Sequence, residues 1–343
     1  MSKYLTITQR YQIETMLKDG KDPKQIAERL GKHYTTIYKE IKKGSVTFRN
    51  SDWTYRTEYC ADFAQRVTDE RQTNKGRDFK IGNDYELAGH IEHLIKDLHY
   101  SPYAVVSDVR KSGRFKTDIC KTTLYRYIDM GLFLNISNKD LYSKRHKRKK
   151  KYNQLRPSHK NLKGASIESR PASAGNRTVY GHWEMDTVYS GRKKSKCCLL
   201  VLTERRTRQE YLMRMPDRTL SSTVKALDRL EKSIGYKAFK ERFKTITCDN
   251  GSEFADFQLI ERSATRAGCR RTSLYYCHPY ASSERGSNEN ANKLVRHWIP
   301  KASDISKYSD DDIQHIQDWV NDYPRQLFGG LSTNEYMRQY GIV

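Results

Sequence analysis

Apolar and polar positions follow a helical period over roughly the first 130 residues, then change to strand-like runs from residue 178. Tyr11, Ile13, Met16 and Leu17 predict a first helix, with Thr8 as its cap and Gly20 as its stop. Asp22-Pro23 pairs a cap with proline at the first helical position, and that helix carries Ile26, Ala27 and Leu30. A third helix is predicted over 34–42. Small Ala27 lets the helices approach, Gly31 permits the tight turn and Ile37 fills the core between them. This is helix-turn-helix spacing. It leaves Lys32, His33, Tyr34, Thr35, Thr36, Tyr38 and Lys39 on the face that would meet a DNA major groove. Residues 53–72, with Trp53, Tyr55, Tyr59, Ala61, Phe63 and Ala64, predict a connector helix, and a polar stretch follows to residue 83.

A second helical unit is predicted from residue 84. Leu87, Ile91, Leu94 and Ile95 mark one amphipathic helix, and Ser101-Pro102 starts another with Val105, Val106 and Val109. Residues 121–128 form a third. Its Thr122, Thr123, Tyr125 and Arg126 echo the Thr35–Lys39 face, so a second helix-turn-helix is expected. A basic run over 144–151 follows, where Lys144, Arg145, Lys147 and Arg148 suit phosphate tracking. The rest, up to Arg177, reads as a flexible linker with Pro157, Gly164, Pro171 and Gly175.

Beyond it, VYGHWEMDTVYS, KCCLLVLTER and RQEYLMRMPD predict three strands of a meander. A helix over 219–234 buries Val224, Leu227, Leu230 and Ile234. KTITCD gives a fourth strand, residues 257–267 a helical stretch and SLYYCHPY a fifth strand. Helices over 287–298 and 310–321 close the chain, the last with Ile313, Ile316, Trp319 and Val320 inward. That succession is the RNase H order. The fold class expected is therefore multidomain: all-α helix-turn-helix units, then an α/β RNase H-like catalytic domain with a mixed five-stranded sheet. The boundaries expected are a DNA-binding domain over 1–46, a connector over 47–83, a second helical domain over 84–135, a basic linker over 136–177 and the catalytic domain over 178–343.

Charge narrows the partner. Among 343 residues, 64 Lys and Arg against 41 Asp and Glu leave a net +23, which points to a polyanion and most simply to double-stranded DNA. The stretch from residue 301 is acidic instead, and suits a solvated helix face or a protein contact. Seven cysteines, an odd number with no CxxC pair, argue against a disulfide framework. Cys269, Cys277 and His278 lack a fourth zinc ligand. No apolar run is long enough to span a bilayer and no signal-peptide core opens the chain, so a cytoplasmic location is expected.

Three acids carry the candidate chemistry: Asp186 on a strand, Asp249 at a strand end and Glu289 on a helix. An RNase H-type fold brings such distant carboxylates together. Two Mg²⁺ ions, or Mn²⁺, would offset their repulsion and take their oxygens as ligands. Glu184 shares the strand face of Asp186 and is a possible accessory acid; Glu253 rivals Asp249. Asn288, Asn292 and Arg296 share or flank the face of Glu289. The asparagines can bond a base edge or a phosphate, and Arg285 and Arg296 can neutralise phosphates. Leu294, Trp298, Trp183, His278 and Tyr280 read as packing residues.

GHWEMDTV, TCDNGSEF, PYASSERGSNENANKLVRHWIPK and the opening LTITQRYQIETMLKDGKDPKQIAERLGKHYTTIYKEIKKG together resemble the IS30 family of bacterial transposases, over nearly the whole chain. The resemblance implies that Asp186, Asp249 and Glu289 are the DDE triad of the integrase-like superfamily. It implies two metal ions, direct attack of water or a 3′-hydroxyl on a phosphodiester, and recognition of terminal inverted repeats by the N-terminal domain. It also implies a homodimer or higher oligomer on paired ends, acting on element ends and target DNA in the nucleoid. The chain departs from the family in a longer Asp249-to-Glu289 stretch, in Ser-Glu before Arg285-Gly286, and in a loose ending, NDYPRQLFGG. The extra residues are expected near ERSATRAGCR and RRTSLYYCHPY. Two other readings stand beside this one: a DNA-binding regulator with an inactive integrase-like domain, and an RNase H-like nuclease without joining activity.

Overall fold

The computed structural model describes residues 5–73, 79–82, 84–142, 164–191, 194–278 and 282–342. The basic run with Lys144, Arg145, Lys147 and Arg148 lies outside the described residues. The chain divides into two compact units, Met1–Gly82 and Asn83–Val343.

In the first unit, α1 (Ile7–Lys18), α2 (Pro23–Leu30) and α3 (Tyr34–Gly44) stand where the periodicity predicts them. The cap of α1 is Thr6, two residues before Thr8. Thr6 and Gln9 cap each other's backbone N–H reciprocally, which Thr8 cannot do without a Gln or Glu three residues on. Gly31 ends α2 at φ 61°, a left-handed turn that favours glycine.

The expected connector helix over 53–72 begins later, as α4 (Ala61–Thr73). Before it runs a hairpin of β1 (Ser45–Arg49) and β2 (Tyr55–Tyr59). SVTFR and YRTEY are rich in β-branched and aromatic residues, and an Asn50–Thr54 turn joins them. The aromatic spacing that suggested a helix belongs to a strand. Tyr59, Ala61 and Ala64 share one core with Ile13, Ile26 and Ile37, so this segment completes the N-terminal domain. Arg10, buried, donates from Nε to Glu40 Oε1 at 2.6 Å and from Nη2 to Thr68 Oγ1 at 3.0 Å, tying α1, α3 and α4 together.

The second unit starts with α5 (Tyr85–Lys96), α6 (Pro102–Ser112) and α7 (Lys121–Asp129). They pack against the C-terminal part of the same unit: the Ser101 N–H donates to Tyr323 Oη and the Trp319 indole N–H to the Leu98 carbonyl, both at 3.0 Å.

The segment read as linker is built structure from residue 164 onward. β3 (Ala165–Ser166) leads to α8 (Ala172–Asn176), whose Ala174 is fully buried. β4 (His182–Tyr189), β5 (Cys198–Glu204) and β6 (Glu210–Met215) form the meander, followed by α9 (Leu220–Ile234) and α10 (Tyr236–Arg242). Then come β7 (Thr245–Cys248), α11 (Phe257–Glu261), β8 (Ser273–Tyr276), α12 (Gly286–Trp298), α13 (Asp310–Asp322) and α14 (Thr333–Gln339).

The mixed sheet has six strands, not five, in the order β3-β8-β7-β4-β5-β6. The sixth is β3, whose two residues pair parallel with β8 and are too few to leave a period in the sequence. β4–β5 and β5–β6 are antiparallel; β4–β7 and β7–β8 are parallel. Every residue of β5 is buried. Leu200 and Leu202 face a core with Leu227 and Phe239, while Leu199 and Val201 face one with Val295, Ile313 and Val320. Helices therefore cover both faces, as a central strand requires.

Residues 262–271, within the stretch expected to hold extra length, form a compact loop. Its ends bridge at Arg262 and Arg270, and Glu231 of α9 accepts from the Ala264 N–H at 2.8 Å and Thr265 Oγ1 at 2.7 Å.

Candidate active site

Strand alternation in β4 turns Glu184 and Asp186 toward α12, while Trp183 and Met185 enter the opposite core. Two strand residues advance about 6.6 Å and four helix residues about 6 Å, so a strand and a helix can be matched rung by rung. The first rung joins Glu184 Oε2 to the Asn288 N–H at 2.9 Å. The second joins Asp186 Oδ2 to Asn292 Nδ2 at 3.0 Å.

Asp249 follows the last residue of β7, beside β4. The Gly251 N–H donates to its Oδ1 at 3.0 Å. Arg285, at the start of α12, joins the two aspartates. Its Nη1 lies 3.1 Å from Asp186 Oδ1 and its Nη2 donates to Asp249 Oδ2 at 3.0 Å. Burial raises the Asp186 carboxyl above its ordinary value. The Asp249 charge adds to this, while Arg285 and the Thr187 N–H pull the other way.

Glu289 lies four residues after Arg285 and three before Asn292, on the same side of α12. Its side chain is exposed and makes no hydrogen bond or ion pair among the described residues. The fold thus draws Asp186 and Asp249 onto one cation and leaves Glu289 at the rim. Among the described residues, no group of three or more His, Cys, Asp or Glu is gathered to hold a metal ion.

The two alternative acids serve the frame. Buried Glu184 accepts from Arg205 Nη1 at 2.5 Å as well as from Asn288. Glu253 is also buried; its Oε1 accepts from Thr187 Oγ1 at 2.9 Å and from Arg218 Nε at 2.6 Å. Its Oε2 has no partner among the described residues.

Asn288, expected at DNA, is buried with its side-chain oxygen accepting from Thr203 Oγ1 at 2.6 Å, so it is not a surface contact. Asn292 serves Asp186. Arg296 is half-buried, its guanidinium lying against the carbonyls of Ile299, Pro300 and Tyr189. Neither the Arg285 bridge nor the Arg205 pair leaves a direct signal in the residue pattern. The four-residue spacing of Asn288 and Asn292 against the two-residue spacing of Glu184 and Asp186 is the pattern that could have found the rungs.

In the first unit, Ile37 is buried while His33, Tyr34, Thr36, Tyr38 and Lys39 are exposed and Lys32 and Thr35 half-buried. His33 also caps α3. In α7, Leu124, Tyr127 and Ile128 are buried, Thr122 and Arg126 exposed, Thr123 and Tyr125 half-buried. No helix among the described residues is long and apolar enough to cross a membrane.

Residues 176–273 match the integrase core domain, and residues 2–44 match a helix-turn-helix domain. The chain is 30% identical to a probable transposase for the insertion-like sequence element IS1161 of Streptococcus salivarius, covering 97% of this chain and 94% of that protein. It is 30% identical to the transposase for insertion sequence element IS4351 of Bacteroides fragilis, over 99% and 97% of the two chains. The transposase InsI for insertion sequence element IS30C of Escherichia coli is 26% identical, over 98% and 84%.

Proposed function

We propose, for a chain that belongs to the IS30 family of insertion-sequence transposases, that it binds the terminal inverted repeats of its element, cuts at the ends and joins them to DNA. Asp186, Asp249 and Glu289 are the catalytic acids in this reading. The observation that supports it most directly is the convergence of Asp186 and Asp249, from separate strands, on a single cationic partner.

That convergence also bears on the metal. The donors are all carboxylate oxygens, the type that hard divalent ions take, and the two aspartates already share one positive group. Asp186, Asp249 and Glu289 would hold Mg²⁺ or Mn²⁺, and two such ions would supply a Lewis-acid clamp on the attacking and leaving oxygens of a phosphodiester.

The chain's own residues prepare the site. Asn292 and the Thr187 N–H fix the two oxygens of Asp186, and the Gly251 N–H fixes Asp249. Glu184 and Arg205 seat the helix that carries Glu289. The exposed face of α3 enters the major groove, with Tyr38 and Lys39 reaching base edges and phosphates. Thr122, Thr123, Tyr125 and Arg126 of α7 offer a second DNA-facing surface. Pairing two element ends calls for a homodimer or larger assembly.

The test is strand cleavage and joining by the purified full chain, with Mg²⁺ or Mn²⁺ and DNA carrying the native ends. Asp186→Asn, Asp249→Asn and Glu289→Gln should each abolish free 3′ ends and joined products. Binding of the ends without strand cleavage in either metal would replace this reading with that of a DNA-binding regulator.

A further inference from the structure

We infer that Arg285 is a latch over the catalytic acids: its guanidinium holds Asp186 and Asp249 together when neither metal nor DNA is bound, and DNA phosphate draws it away, so that metal and DNA bind cooperatively. The inference rests on the catalytic role proposed above for the two aspartates.

Arg285 is largely buried, with 15% of its side chain exposed, and it reaches both acids with one planar group. The two contacts differ. Nη2 makes a directed hydrogen bond to Asp249 Oδ2 at 3.0 Å. Nη1 is 3.1 Å from Asp186 Oδ1 yet makes no hydrogen bond, so charge rather than direction holds that side. Asn292 and the Thr187 N–H hold Asp186 independently of Arg285. The carboxylate therefore stays in place if the guanidinium leaves.

A divalent ion binding to these carboxylates meets a positive charge already there. Arginine and metal compete for the same anionic oxygens and repel each other. The apparent metal affinity is lowered by the fraction of molecules in which the latch is closed. Arginine's fork also matches a phosphate, which it can bind with two parallel hydrogen bonds. DNA at the site would give the guanidinium a second anion and free the carboxylates. By linkage, metal would then tighten DNA binding by the factor by which DNA tightens metal binding.

The experiment is Mn²⁺ titration of the full-length protein, followed by electron paramagnetic resonance, with and without a duplex of arbitrary sequence, since phosphate is the group invoked. Without DNA, Arg285→Gln should bind Mn²⁺ about tenfold tighter than the parent, the order of one charge-assisted contact. In Arg285→Gln the duplex should no longer strengthen Mn²⁺ binding. Arg285→Lys, which keeps the charge but cannot span both acids, should fall between.

An Arg285→Gln protein that is folded by circular dichroism and binds Mn²⁺ no more tightly than the parent overturns the latch. If that variant does not fold, unchanged Mn²⁺ affinity in folded Arg285→Lys overturns it instead. Asp186→Asn and Asp249→Asn separate this from the underlying reading. If both lose Mn²⁺ while Arg285→Gln gains nothing, only the latch fails. If neither changes Mn²⁺ binding, the catalytic assignment fails and the latch with it.

Discussion

Glu184 Oε2 accepts the backbone N–H of Asn288 at 2.9 Å, and this joins the strand of Asp186 to the helix that carries Arg285, Glu289 and Asn292. Its other oxygen takes Arg205 Nη1 at 2.5 Å, and both side chains are buried.

Removing Glu184 leaves the Arg205 guanidinium buried without its carboxylate. Glu184→Ala should therefore destabilise the protein by about 3–5 kcal/mol, the range for breaking a buried pair from one side. Urea unfolding of the full chain measures it. A loss of about 1 kcal/mol or less, typical of an exposed pair, would mean that Arg205 reaches water and that the pair does not seat the helix.

Gly251 is needed for want of space, at an ordinary negative φ. A β-carbon there would stand 2.6 Å from Glu253 Oε2 and 3.0 Å from Asp249 Oδ1. Glu253 is fixed by Thr187 and Arg218, so the loop backbone at residue 251 must shift instead, and Asp249 with it. Gly251→Ala should lower strand cleavage by about a hundredfold, as a misplacement of about 1 Å does elsewhere, with the melting temperature little changed. Cleavage at the parental rate would show that Asp249 tolerates the shift.

Much of this architecture can be read from residue patterns, and the losses have physical causes. The helix-turn-helix was legible because Asp22-Pro23, Ala27, Gly31 and Ile37 are local signals of cap, approach, turn and core. β4 and β5 were legible because they are long, β5 largely apolar and β4 alternating between apolar and polar residues over 182–186. β3 was not, since two residues carry no period and its pairing with β8 is long-range. The β1–β2 hairpin was missed because its aromatic residues also fit a helical spacing. At the site, the identities of Asp186, Asp249 and Glu289 were readable as candidates. The Arg285 bridge was not, because it depends on a chain reversal that brings the start of α12 over two strands.

His278 predicts a pH signature. Its Nδ1 lies 2.7 Å from Glu284 and its Nε2 3.1 Å from Glu168. The Glu284 hydrogen bond first, and then that of Glu168, raise the imidazole above its ordinary value. A raised folded-state value gives stability that is fully present below the unfolded value, about 6.5, and is lost as pH rises through the folded one. The melting temperature of the parent should exceed that of His278→Gln by more at about pH 6 than at about pH 9. A gap independent of pH would mean that His278 contributes through packing alone.

The two faces of α3 should respond to substitution in opposite ways. Ile37 is fully buried among Ile13, Ile26 and Ala27, whereas Lys39 is exposed. Ile37→Ala should lower stability by about 2–5 kcal/mol, through lost burial and the cavity left behind. DNA affinity should then recover under conditions that restore folding. Lys39→Ala should leave the melting temperature alone. If Lys39 meets a phosphate, affinity should weaken almost equally for element-end and unrelated duplexes, and the log–log salt slope should shrink by about one. If Lys39 instead reads a base edge, discrimination between the two duplexes should fall while the salt slope holds. Fluorescence anisotropy across a salt series separates these outcomes. Unchanged affinity for both duplexes at every salt concentration would take Lys39 off the DNA-binding surface.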